Sequence, residues 1–194
     1  DWLLTTDQGL ASQLLAELDV PKGQHVSGAN QQTALPTTSP HPLLSLWLAE
    51  QTDETRFLFR SRSIPFIQTQ HINDQMDEFR DHPAPFKWHV IHGPGGTGKS
   101  RLALEYALLL QKHNEWEAGF LQTENASGFD WHNWQPKKST FLIVDYAARH
   151  AGLIAKMLRG LSQRESPSPT IRLLLLEREV TGSWFNRITW RGSE

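Results

Sequence analysis

The sequence predicts an α/β domain built around a parallel sheet, and three observations carry that expectation. From Phe86 onward, short apolar segments alternate with amphipathic ones, the pattern of consecutive βαβ units. Two of the apolar segments, 140–145 and 170–176, are near-continuous runs of the kind covered on both sheet faces. Where the first strand should turn into its helix stands a loop with four glycines in six residues, Gly93, Gly95, Gly96 and Gly98.

Taken in order, residues 7–18 place Leu10, Leu14, Leu15 and Leu18 on one helical face, and 20–23 supply a stop. Residues 21–40 hold too few apolar side chains to offset the entropy of ordering, so a linker is expected. Ser39 suits an N-cap and Pro40 a first helical position, and Leu43, Leu44, Trp47 and Leu48 follow at helical spacing. A second short helix ending near Gln51 is therefore predicted. After an extended stretch over 57–67, Thr69 caps a helix carrying Ile72, Met76 and Phe79, which Pro83-Ala84-Pro85 terminates. Strands are expected over 86–92, 118–122, 140–145 and 170–176. Stripes at Leu102, Tyr106, Leu109 and Leu110, and at Leu153, Ile154, Met157, Leu158 and Leu161, predict helices after the first and third of these.

The 194 residues suffice for one α/β domain with a smaller appendage. With 19 basic and 21 acidic residues the net charge is −2, which argues against nucleic acid as a partner of this chain. Residues 1–85 are net −6 and the remainder net +4, so the two parts differ in character. The absence of cysteine excludes a disulfide scaffold, a zinc ribbon, a thiolate nucleophile and a cysteine-ligated cluster. No apolar run approaches the ~18 residues that span a bilayer. The chain opens Asp1-Trp2 with no signal-peptide pattern, and it reads as a piece of a longer, cytoplasmic protein.

Residues Gly93-Pro94-Gly95-Gly96-Thr97-Gly98-Lys99-Ser100 match the phosphate-loop (Walker A) pattern in its required setting of strand, loop and helix. The glycines permit positive φ and let backbone amides approach a polyphosphate as an anion nest. The helix that follows adds its positive end. Lys99 can reach the terminal phosphates, and the Ser100 hydroxyl suits Mg²⁺, a hard cation. The second signal is Phe141-Leu142-Ile143-Val144-Asp145, an apolar strand whose carboxylate emerges at the sheet edge where phosphates sit in open α/β folds. Asp145 is the expected Walker B carboxylate, completing the metal site with Ser100.

Together with Arg101-Leu102-Ala103-Leu104-Glu105 after the loop, the Ile143-Val144-Asp145-Tyr146-Ala147 string and the Arg172-to-Arg178 string, these residues resemble the STAND class of P-loop ATPases, related to the NACHT and NB-ARC modules. The resemblance spans about residues 60–190. It implies a three-layer P-loop fold with ASCE-type strand order, preceded by short N-terminal helices, with 1–54 a helical segment and linker and 55–194 an incomplete nucleotide-binding domain. In that class a strand intervenes between the two nucleotide strands, for which 118–122 is the candidate. Arg178 falls where the class carries a γ-phosphate sensor. Lys99, Asp145 and Arg178 are thus the expected catalytic residues, and the nucleotide contacts run from Gly93 through Arg101. The segment before the first strand departs from the class, since Pro65-Phe66-Ile67 is followed by Gln68-Thr69 rather than Gly-Arg.

No carboxylate follows Asp145 until Glu165, leaving Glu177 or Glu179 as substitutes for a water-orienting group. Good ATP or ADP binding with Mg²⁺ and slow turnover is therefore expected, ATP being favoured over GTP because no Asn-Lys-x-Asp string occurs. The function that follows is a nucleotide switch in a larger signalling or defence protein, with self-association or regulatory domains of that protein as partners. A small-molecule phosphotransferase is a weaker reading, since 149–164 reads as a plain helix rather than an arginine-bearing lid. A degenerate scaffold is the other. His89 and His92 fall on opposite strand faces, and Phe129, Trp131 and Trp134 read as core rather than as a base-stacking platform.

Overall fold

The computed structural model describes residues 43–46, 48–49, 51–55, 58–67, 70–112, 114–163 and 169–189. The helix expected over 7–18, the linker over 21–40, Ser39, Pro40, Trp47 and Thr69 lie outside them. Five strands, β1 Leu44–Ser45, β2 Phe86–His92, β3 Trp116–Leu121, β4 Ser139–Asp145 and β5 Ile171–Glu177, form one sheet in the order β1-β3-β4-β5-β2. Every pairing is parallel except that of β1 on β3. The helices are α1 Gln70–Asp81, α2 Lys99–Lys112, α3 Thr123–Ala126, α4 Ala151–Leu161 and α5 Ser183–Thr189.

Alternation along the strands builds two cores, one on each face of the sheet. On one face Leu142, Val144, Leu173 and Leu175 meet Ile154, Met157 and Leu161 of α4. On the other, Phe141, Ile143, Leu174 and Leu176 meet Ile72, Met76 and Phe79 of α1 and Leu102 and Tyr106 of α2. This is a three-layer α/β arrangement compatible with a P-loop-like fold. Leu109 leaves the expected stripe and is exposed, whereas Leu102, Tyr106 and Leu110 are buried. Phe129, Trp131 and Trp134 pack edge to face, with Trp131 and Trp134 at 5.5 Å, and Trp131 is buried against α4. Gly160 makes that contact possible, because a Cβ there would stand 2.9 Å from the Trp131 Cβ.

One expectation is corrected. Leu43 and Leu44 do not begin a helix: Leu44 and Ser45 pair with Leu121 and Phe120, and the Gln122 amide donates to the Leu43 carbonyl at 2.8 Å. Short apolar runs fit either period, and here the open flank of β3 offers backbone partners that a lone short helix lacks. Gly119 admits the edge strand, since a Cβ would approach the Ser45 carbonyl to 3.1 Å. Along the chain β3 lies between β2 and β4, where a strand over 118–122 is expected, and in space it flanks β4 while β5 lies between β2 and β4. Among the described residues β2 therefore borders the sheet, pairing with β5 alone.

Helix α1 is fastened to its neighbours by polar groups. The Tyr106 hydroxyl donates to Asp77 Oδ1 at 2.8 Å, and Arg80 Nη1 donates to the same oxygen at 2.6 Å. From β5 the guanidinium of the fully buried Arg172 reaches the carbonyls of Phe79 and Arg80 at the end of α1 and those of His82 and Ala84 in the turn that follows. His89 of β2 lies against Phe79, with ring centroids 5.6 Å apart. Burial, reinforced by Lys87 and His92, pushes its imidazole down to about 4.

Unfolded, that imidazole titrates near 6.5, so between the two values the unfolded chain binds more protons. The stability gained by keeping His89 neutral is complete above the higher value and is lost as pH falls toward the lower. Urea titrations should show stability declining by up to about 1.4 kcal/mol per pH unit across this window from this group. His89→Gln should flatten the decline. Identical slopes for variant and parent would contradict it.

Candidate functional site

The loop between β2 and α2 is shaped by backbone conformation. Gly96 and Gly98 have φ of +85° and +86°, a region that favours glycine, and a Cβ at either would meet nothing within 4 Å. Both therefore border open space. The buried Thr97 hydroxyl donates to the Pro94 carbonyl at 3.0 Å, drawing the loop tight. The Leu102 amide donates to the Gly98 carbonyl at 2.8 Å, so the helical ladder starts within the loop.

Lys99 turns back onto this loop. Its Nζ donates to the carbonyls of Gly93 at 2.7 Å and Pro94 at 2.9 Å and lies 3.4 Å from Thr97 Oγ1. The residue is only 9% exposed, where a phosphate-site lysine read from sequence is expected at a solvent-accessible position. The reason is local, because carbonyls of the tight loop satisfy the ammonium. Burial lowers its pKa and Arg178 adds to that, against Asp145 and Glu177.

The Ser100 hydroxyl donates to Asp145 Oδ2 at 2.7 Å, while Asp145 Oδ1 accepts the Tyr146 amide at 2.9 Å. Two hard oxygen donors, one from each nucleotide-type segment, are thereby brought into contact, and this is a donor set that fits Mg²⁺. Tyr146 itself holds φ +53°, a strained value for a side chain of its size, with the Arg149 guanidinium 5.0 Å from its ring centroid. At the end of β5, Glu177 accepts the Ala148 amide on Oε2 and the Arg178 amide on Oε1, both at 2.7 Å. Its carboxylate thus ties the turn after β4 to β5. The Arg178 guanidinium lies over Gly95, its atoms 3.6 Å from where a Cβ would stand. Glu179 is exposed and accepts from the Thr181 hydroxyl at 3.3 Å.

These groups line one cavity of about 520 Å³ at the C-terminal edge of the sheet. Gly95, Gly96, Gly98, Lys99 and Ser100 form one wall, and Asp145, Tyr146, Glu177 and Arg178 form a second. The third wall, Leu58, Phe59, Ile64 and Pro65, comes from the segment before α1 and includes two exposed apolar side chains, Leu58 and Ile64. Lys99, Ser100, Asp145 and Arg178 are therefore brought together on one cavity, with Gly93, Pro94 and Thr97 shaping the loop behind them. Arg101 also borders the cavity, but its guanidinium is engaged with Glu105 Oε1 at 2.8 Å and with the carbonyls of Phe59 at 3.2 Å and Ile64 at 3.0 Å. Sequence reasoning missed Arg62, which donates to both oxygens of Glu105 at 2.9 and 3.0 Å. The Arg101–Glu105 spacing of four was a legible helical pair, whereas nothing local marks a partner 43 residues away.

Comparison with curated proteins and with solved structures returns no match. A family model does match, that of the Novel STAND NTPase 5 family, over residues 58–184. The matched span takes in all three walls of the cavity and well over half of the chain, and the protein belongs to the Novel STAND NTPase 5 family.

Proposed function

We propose that this chain is the nucleotide-binding switch module of a larger signalling or defence protein, that its cavity takes ATP with Mg²⁺, and that it turns ATP over slowly. The observation that carries the reading is the convergence of Lys99, the Ser100–Asp145 pair and Arg178 on one open cavity at the C-terminal ends of β2, β4 and β5. The position of β5 between the two nucleotide strands supports an ASCE-type order. In this reading the glycine loop receives the phosphates and Lys99 exchanges its loop carbonyls for phosphate oxygens. Ser100 and Asp145 hold Mg²⁺, which neutralises phosphate charge when bound. Arg178, exposed above Gly95, meets the terminal phosphate. In this reading the nucleotide-binding domain runs from about residue 55, with Leu44 and Ser45 of the preceding segment joined to its sheet as β1, and a cytoplasmic setting suits a cysteine-free chain that uses ATP.

Slow turnover follows from where the carboxylates are. Glu177 is anchored by backbone amides on both oxygens, and Glu179 does not line the cavity, so neither is poised like a carboxylate directly after Asp145 to orient water. Thermal melting with ATP, ADP and GTP, each with and without Mg²⁺, tests the assignment. A ligand at about 100 times its Kd stabilises by about 2.7 kcal/mol, which raises the midpoint by roughly 5–10 °C. ATP and ADP should do so in a Mg²⁺-sensitive way. The absence of a shift with every nucleotide would overturn the reading, and phosphate release at many turnovers per second would overturn the slow-hydrolysis part.

A further inference from the structure

The third wall of the cavity lacks a regular strand or helix to hold it: Leu58 to Pro65 contains a single turn of 3₁₀ helix, Phe59–Ser61, followed by Arg62 at φ +56°. What holds this wall is a carboxylate on the phosphate-loop helix. Glu105, 15% exposed in its side chain, receives Arg62 on both oxygens and Arg101 on one. Arg101 spends its remaining donors on the Phe59 and Ile64 carbonyls, closing the turn from both ends. A bidentate arginine pair fixes orientation as well as distance, and here it also offsets the cost of the left-handed backbone at Arg62.

We infer that Glu105 is a positioning residue that locks the apolar wall of Leu58, Ile64 and Pro65 against the phosphate-loop helix, so that the nucleoside and the phosphates of one ligand are bound on a single rigid frame. The inference rests on the nucleotide reading above and adds to it the residue that holds the segment before α1 in place. The glycine loop, Lys99 and Ser100 serve the polyphosphate, and the clamped segment serves the flat, largely apolar base. A wall already fixed in place saves the ordering cost that a loose segment would levy on each binding event. Arg101 then acts through the wall rather than on the phosphates directly.

The test is calorimetric titration of the full chain with ATP·Mg²⁺ and, separately, inorganic tripolyphosphate·Mg²⁺, which engages the phosphate wall alone. Glu105→Gln should weaken ATP by about tenfold or more, the cost of re-ordering one short segment, and leave tripolyphosphate within about twofold. Arg62→Gln alters the partly buried arm of the clamp while leaving every residue of α2 unchanged, and should give the same split. Equal losses for both ligands would place Glu105 in support of the loop alone, and no loss for either would make the clamp irrelevant to binding; each overturns the inference. Wild-type protein that binds ATP but not tripolyphosphate would also overturn it, since the two walls would not act separately. Wild-type protein that binds neither ligand removes the nucleotide reading itself.

Discussion

Lys99→Ala is expected to weaken ATP·Mg²⁺ binding by about a hundredfold or more. In the proposed nucleotide complex the ammonium donates to phosphate oxygens, and hydrogen bonds of this charged kind contribute roughly 1.5–3 kcal/mol each. Two of them correspond to at least two decades in Kd. The structure adds a second effect that the motif alone does not foretell. The same ammonium satisfies the Gly93 and Pro94 carbonyls in the structure, so its removal strips one buried and one part-buried acceptor. A stability loss of about 1–2 kcal/mol should therefore accompany the lost affinity. Calorimetric titration and urea unfolding on the same preparation separate the two. Unchanged ATP affinity in the variant would remove Lys99 from the site, and unchanged stability would mean that water replaces its loop contacts at no cost.

The largest effect on folding should come from Arg172→Leu, which is expected to destabilise the protein by about 3–5 kcal/mol, the cost of breaking a buried, hydrogen-bonded charge. Arg172 has no exposed surface. Its Nε donates to Phe79 and Arg80 carbonyls at 2.8 and 3.0 Å, Nη1 to Ala84 and Ile171 carbonyls at 3.0 and 2.9 Å, and Nη2 to the His82 carbonyl. Those acceptors include the C-terminal carbonyls of α1, which no intrahelical donor can satisfy, and the positive charge lies at the helix's negative end. Leucine leaves them unpaired in a dry place. Lysine should not rescue, because a single ammonium cannot fork to carbonyls spread around the plane of a guanidinium. Thermal midpoints should fall by roughly 10–20 °C. Arg172 stands at the opposite end of β5 from Arg178, so whatever fraction remains folded should bind nucleotide normally. A loss under about 1 kcal/mol would show that α1 is held by its apolar face alone.

How much of this was legible in the sequence depended on how local the cause was. Strands β2 to β5 begin within two residues of their predicted starts, because apolar runs bounded by turn residues specify them without help from elsewhere. The Gly93–Ser100 loop and Asp145 were legible for the same reason, since chemistry at fixed spacing leaves a mark in the string. Edge strand β1 was not, because two leucines followed by a serine acquire a strand conformation only when β3 supplies partners. Arg172 in an apolar strand gives no sign that its partners are carbonyls of a helix some 90 residues earlier. The Glu105 clamp shows the boundary most clearly, with its helical half visible in spacing and its other half, Arg62, set by a turn that sequence reads as extended. Lys99 stands out in the string by its spacing, but its withdrawal onto the loop carbonyls is a property of geometry, not of motif.

The position of β2 at the border of the sheet has a mechanical consequence. The strand that delivers the chain into the glycine loop is half-buried along most of its length, whereas β4 and β5 beside it are almost wholly enclosed. Among the described residues no strand lies beyond it in the sheet, and a sheet border of this kind accepts another strand readily. Any segment that zipped onto it would pull on Phe86–His92 as a unit, and His92 adjoins Gly93, whose carbonyl holds the Lys99 ammonium. Force applied at that margin would thus arrive at the glycine loop along one continuous ribbon of peptide, tugging on both cores through Ile91 on one face and Trp88 and Val90 on the other.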